Sequence, residues 1–149
     1  MTQIKKTGVF LLGLVIILTL VVLLWQSGEC PSSEIEEIVS RKKNFAEAQH
    51  LAGQWVRPDG GYRLVIEDVK PDGSLNMSYF NPNRINVSIS NWKFEDNRIH
   101  VFVELRDVNY PGSKYNLVYT SEQDVLIGTY FLAAHKQTFN VSFKRMTNQ

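Results

Sequence analysis

"LAGQWVRPDGGYRL", residues 51–64, holds the two features on which the fold is read. "GQWVR" and "YRLVIEDVK" are strand-like runs, and the "PDGG" between them is turn chemistry: proline presets φ, aspartate bonds its own backbone, and glycine accepts positive φ. Trp55 follows Gly53 by two residues at the start of the first run. The question is whether that indole is an ordinary core residue or the plug of a closed barrel.

The chain beyond it answers for the barrel. From Gly53 onward, apolar residues recur every second position in "GQWVR", "YRLVIEDVK", "SLNMSYF", "RINVSISNW", "RIHVFVEL", "KYNLVYT", "VLIGTYFL" and "QTFNVSFKR". The links between most of these runs are short, such as "PDG", "NPN", "EDN" and "SEQD", so neighbours pair antiparallel. Eight strands in under a hundred residues predict an all-β, eight-stranded antiparallel up-and-down barrel, because closure leaves no exposed edge. A two-layer sandwich, the structural rival, usually needs longer crossovers.

Alternation also assigns faces. The expected interior set is Leu64, Ile66, Leu75, Met77, Tyr79, Ile85, Val87, Ile89, Ile99, Val101, Val103, Leu105, Tyr115, Leu117, Tyr119, Leu126, Tyr130, Phe139, Val141 and Phe143. In a closed meander the first strand pairs with the last, which brings Trp55 beside Arg145. A guanidinium over an indole gains roughly 0.5–2 kcal/mol, and Gly53 lets backbone approach closely at the seam.

Gly-x-Trp on the first strand, a DG turn, Leu75-x-x-x-Tyr79, Gly128-x-Tyr130 on the closing hairpin and a basic residue ending the last strand resemble the calycin barrels. The avidin branch is matched best, over about the last two-thirds of the chain. The resemblance implies that Tyr79 corresponds to the tyrosine that hydrogen-bonds the biotin ureido oxygen. The asparagine and serine sharing that task are replaced by Arg57 and Gly61. Trp92 stands at a strand end, and Phe102 and Tyr119 stand on the strands that carry pocket tryptophans. The resemblance therefore implies the barrel rather than biotin binding, and association through outer faces leaves a homo-oligomer open.

Working back toward the N-terminus, residues 31–52 form a linker. Ser33 with Glu36 makes a capping box, and Ile35, Ile38, Val39, Phe45 and Ala46 fall near one face, so a short helix is expected. Acids come early in it and Arg41, Lys42 and Lys43 later, as the helix dipole prefers. It is read as a spacer covering one end of the domain, with a docking helix as the rival. Residues 1–30 read as a cytoplasmic stub and one transmembrane helix: 7–25 are uncharged and almost wholly apolar, and nineteen residues at ~1.5 Å each come close to a ~30 Å hydrocarbon core. Lys5 and Lys6 precede the run, so the N-terminus is expected in the cytoplasm and residues 53–149 in the periplasm of a bacterial inner-membrane, single-pass protein. A lipoprotein modified at Cys30 and a secreted form are the other readings; under the anchor reading Cys30 is a free thiol or a bridge between copies.

Composition narrows function. The chain has 16 Lys+Arg against 15 Asp+Glu with no basic run, which argues against a nucleic-acid partner. One cysteine and the scattered His50, His100 and His135 suggest no metal site, and no cofactor fingerprint occurs. No GxSxG or Walker loop is present; Glu104 with Asp107 is the one conceivable acid–base pair, and Arg106 between them makes salt bridges the simpler expectation. The larger loops, "RPDGG", "FNPNR", "RDVNYPGSK" and "AAHKQ", gather at one mouth, where function concentrates. They nominate Tyr79, Asn81, Arg84, Arg106, Asn109 and Tyr110 as ligand-binding residues, with a Pro-Gly turn organised by Asp107 and Asn109 as the plainer alternative. The expected function is a non-enzymatic, membrane-anchored periplasmic binding module for a small amphipathic or envelope-derived ligand. The alternative is a structural or accessory subunit of an envelope complex, with a packed barrel and an envelope protein as partner.

Overall fold

The structure is a computed structural model and describes residues 32–147. The apolar run 7–25 and Cys30 lie outside the described residues. Among the described residues no helix is long and apolar enough to cross a membrane.

The chain divides into two compact units, Met1–Ser40 and Arg41–Gln149. Helix α1 (Ser32–Ala48) begins in the first, where Ile35, Ile38 and Val39 are exposed. Arg41-Lys42-Lys43 follow the early acids but sit mid-helix, and the last turn holds no basic residue. Its final turns belong to the second unit: Phe45 stacks on Trp92 at 6.3 Å, and Ala48 is fully buried. A single 3-10 turn (Gln49–Leu51) then buries Leu51 and delivers the chain to the first strand.

Nine antiparallel strands follow: β1 (Gly53–Val56), β2 (Arg63–Val69), β3 (Leu75–Asn81), β4 (Asn83–Ile85), β5 (Val87–Glu95), β6 (Arg98–Asp107), β7 (Tyr110–Thr120), β8 (Val125–Leu132) and β9 (Gln137–Arg145). Their order in the sheet is β4-β3-β2-β1-β9-β8-β7-β6-β5, a meander that wraps into a nearly closed barrel. The expected pairing of first strand with last is present, with Trp55 opposite Arg145 and Val56 opposite Lys144.

The extra strand arises at Asn86, where the run expected as one strand, "RINVSISNW", changes partner. Ahead of it β4 pairs with β3; after it β5 pairs with β6. Asn86 is clamped to the end of β6: its N–H donates to Asp107 Oδ2 (2.9 Å), its amide to the Arg106 carbonyl (3.0 Å), and its own carbonyl accepts from the Arg106 N–H (3.0 Å). The seam left between β3 and β5 is stitched at its far end by a Ser74–Asn91 bridge, by Trp92 N–H to the Gly73 carbonyl (2.7 Å) and by Ser90 Oγ to the Leu75 carbonyl (2.7 Å).

The interior set is largely as alternation assigned it. Two positions depart. A bulge between Val87 and Ile89 shifts the register by one, which in a period of two exchanges the faces. Ile89 is therefore exposed, and Trp92 points into the core instead of idling at a strand end. Phe139, at the start of β9, is also exposed. "RDVNYPGSK", expected as a large loop, is mostly strand: β6 reaches Asp107 and β7 begins at Tyr110, leaving a tight hairpin.

Candidate functional site

Both ends of the barrel are shut by an arginine. At the entry end, β1 carries Trp55 inward, where it is fully buried and donates its indole N–H to the Leu51 carbonyl (2.9 Å). Arg145 arrives from β9 with its Cζ 4.2 Å above the Trp55 ring. Its Nε and Nη2 donate to the two carboxylate oxygens of Asp124 (2.5 and 3.0 Å), while Nη1 donates to the Ala52 carbonyl (2.8 Å) and Nη2 to that of His50. Tyr119 stands edge-on to Trp55 and donates to Asp124 as well (3.0 Å). The hydrogen bonds from Arg145 hold the Asp124 carboxyl below the usual aspartate range, and the same pair raises the arginine. Gly53 has φ +134°, and a Cβ there would lie 2.6 Å from Arg145 Nη1, so only glycine lets the guanidinium reach the backbone.

At the opposite mouth stands Arg57, just past the end of β1 and two residues beyond Trp55, hence on the same inward side. Its side chain is buried, with Cζ 4.2 Å over the Tyr62 ring. Nε and Nη2 donate to the carboxylate of Asp59 (2.9 and 2.5 Å), and Nη1 reaches the Tyr115 hydroxyl (3.3 Å). From there the phenols continue inward, Tyr115 OH lying 3.0 Å from Tyr79 OH. Tyr130 stacks on Tyr115 at 4.5 Å, and Tyr110 meets Tyr79 edge-on at 6.2 Å. Burial pushes the Tyr115 phenol up to about 12, against hydrogen bonds from Tyr79 and Arg57 that favour the phenolate; burial raises Tyr79 further. Tyr115 and Tyr79 are therefore held as neutral phenols. Burial opposes the charge on Arg57, but the hydrogen bonds to Asp59 and Tyr115 outweigh it and its pKa is raised.

Of the six nominated ligand residues, three come together. Tyr79, Asn81 and Tyr110 form one cluster, with the Asn81 amide donating to Tyr110 OH (2.6 Å). Tyr79 is fully enclosed, however. The other three stand apart from it: Arg84 is exposed on β4, Asn109 is exposed in the β6–β7 turn, and Arg106 pairs with Glu104 at 2.7 Å. Glu104 is held low mainly by that hydrogen bond, and Asp107 by the backbone N–H groups of Asn86 and Val108, so both carboxylates serve the sheet and the turn. Among the described residues no group of histidine, cysteine, aspartate and glutamate could hold a metal. Arg57 was the residue sequence reasoning passed over as a site residue, although its offset of two from Trp55 already placed it inside.

Compared with protein-family models, curated proteins and solved structures, the chain matches none.

Proposed function

We propose that this chain is a non-enzymatic accessory subunit of a bacterial envelope membrane complex. In this reading residues 7–25 anchor it with the N-terminus cytoplasmic, and a calycin-like barrel stands in the periplasm as a rigid body whose outer surface and loops meet the partner. One observation carries it: the large interior side chains are enclosed and bonded to one another. Trp55, Tyr79, Tyr115 and Phe143 are completely enclosed, with Arg57 drawn in above them. Arg57, Tyr115, Tyr79, Asn81 and Tyr110 are already hydrogen-bonded there, and a ligand would have to break those bonds to enter. The Trp55–Arg145 closure supports the calycin kinship; the uncharged run preceded by Lys5 and Lys6 supports the anchor and its orientation.

A second reading, a small amphipathic ligand at the mouth, rests on a specific weakness. The Asp59 side chain that neutralises Arg57 is 59% exposed, so a ligand carboxylate could take its place. Native mass spectrometry of the full chain, extracted gently from membranes, separates the two. A stable protein partner with no retained small mass is the expected result; a bound small molecule released by Arg57→Ala would replace it with the second reading.

A further inference from the structure

On the outer wall, β5, β6 and β7 present a two-by-three grid of side chains fixed by the ladder registers. Lys93, His100 and Val118 form one row; Asn91, Phe102 and Asn116 form the next. Val101 and Leu117, between them, face the core. The six, with the backbone of Val101 and Leu117 between them, line an open hollow of about 200 Å³. At ~30 Å³ per water this is space for roughly seven waters, enough for one six-membered ring and below the ~300–1,000 Å³ of a drug-sized site.

The groups lining it are unspent. Among the described residues, neither the Asn91 nor the Asn116 amide has a protein hydrogen-bond partner, and His100 Nε2 is the one buried side-chain nitrogen or oxygen without one. An orphaned buried nitrogen is destabilising, and the fold accepts it here on a surface wall. Charge, by contrast, is spent: Lys93 Nζ sits 2.6 Å from Glu95 Oε2 and is neutralised locally. What remains is a half-buried phenyl ring flanked on either side by planar amides, with an imidazole one row away. Amides offer both a donor and an acceptor, the pair that vicinal hydroxyls require. A flat apolar face takes the C–H face of a saturated ring.

We propose that this hollow is a carbohydrate site: it takes one neutral pyranose ring, its C–H face on Phe102 and its hydroxyls shared among Asn91, Asn116 and His100. A hydroxyl there supplies the missing partner of Nε2 once the imidazole turns toward it. The absence of a net local charge selects neutral over acidic sugars. The site lies outside the barrel and does not depend on whether the interior is filled or the mouth binds a ligand.

The test is a nitrogen-15 NMR titration of the full chain in a detergent without a sugar headgroup. The probes are two neutral trisaccharides, chitotriose and cellotriose, and the anionic trigalacturonate. At least one neutral sugar is expected to give saturable shifts at Asn91, His100, Phe102 and Asn116, with a Kd of order 1 mM, while trigalacturonate leaves them in place. Phe102→Leu, which keeps an apolar side chain but removes the flat ring, is expected to weaken binding at least tenfold. Asn91→Ala and Asn116→Ala, both at exposed positions, are expected to weaken it at least threefold without changing thermal unfolding. The proposal is overturned if neither neutral sugar moves these resonances, as it would be if the wall serves a protein partner. It is equally overturned if the acidic sugar binds as well, or if Phe102→Leu binds as tightly as the native chain.

Discussion

The two ends of the barrel use the same three parts and make different objects of them. Each has an arginine, an aspartate gripping it through two oxygens, and an aromatic ring 4.2 Å under the guanidinium. At the entry end the ring is a fully buried tryptophan, and the arginine also holds two backbone carbonyls from the segment leading into β1. Its bonds join segments about ninety residues apart, so the closure is long-range and cooperative with the fold. At the mouth the arginine grips Asp59, two residues away within its own hairpin, and makes one longer contact across the barrel, to Tyr115 at 3.3 Å. A local grip closes without tying the fold together. The entry end is a weld and the mouth is a latch.

The difference can be broken by substituting equivalent parts. Trp55→Ala should show the largest effect, a loss of about 3–5 kcal/mol in urea denaturation followed by circular dichroism, whereas Tyr62→Ala should cost under about 1 kcal/mol. Arg145→Ala removes charge-assisted bonds to Asp124 and two carbonyls and should cost about 2–3 kcal/mol. Arg57→Ala gives up a grip on exposed Asp59, the stack on Tyr62 and one long bond to Tyr115, whose hydroxyl keeps Tyr79 as a partner, and should cost about 1 kcal/mol, less than Arg145→Ala; equal losses at the two arginines would erase the distinction. Gly53→Ala must adopt φ +134° and displace Arg145, for about 1–2 kcal/mol, while Gly61→Ala, with open space around its Cβ, should be nearly neutral.

The smallest effect is in acid. Hydrogen bonding to Arg145 depresses the folded pKa of Asp124, so its stabilisation is complete above the unfolded value near ~3.9 and is lost as pH falls through the folded value. Asp59 is depressed in the same direction by Arg57, but its greater exposure leaves less to lose. Urea midpoints measured between neutral pH and pH 3 should fall below about pH 4 in the native chain. Glu104 and Asp107, also held low, contribute to that fall, so Asp124→Asn should make it shallower without abolishing it, and Asp59→Asn should change it less. Because Asp124 is itself partly exposed, its share should be under about 1 kcal/mol.

What the sequence made legible follows the reach of its signals. A period of two is a strong local signal, so the strands, the faces of β2, β3, β6 and β7 and the closure of β1 on β9 are legible in the residues alone. The bulge after Val87 could not, because one inserted residue leaves the alternation intact on either side and only reverses its sense; Ile89 and Trp92 changed faces for that reason. Asn86 was equally opaque: its exchange of partners depends on the end of β6, some twenty residues away. At the mouth, loop composition drew attention to Arg106 and Asn109, which the structure uses in a hairpin, and away from Arg57, whose place inside was implied by its spacing from Trp55. The grid around Phe102 carries no motif at all, since it exists only when three strands set their registers.

Hydrogen exchange at two side-chain protons tests the weld and the latch most directly: the Trp55 indole N–H, bonded to the Leu51 carbonyl, and the Arg57 Nε–H, bonded to Asp59. After correction for intrinsic rates, the indole should exchange only through global unfolding, with a free energy equal to that from denaturation, and Arg57 through a far cheaper local opening. An indole that exchanges as readily as the Arg57 guanidinium would show that the entry end opens on its own, and the account of the barrel as closed around Trp55 would be contradicted.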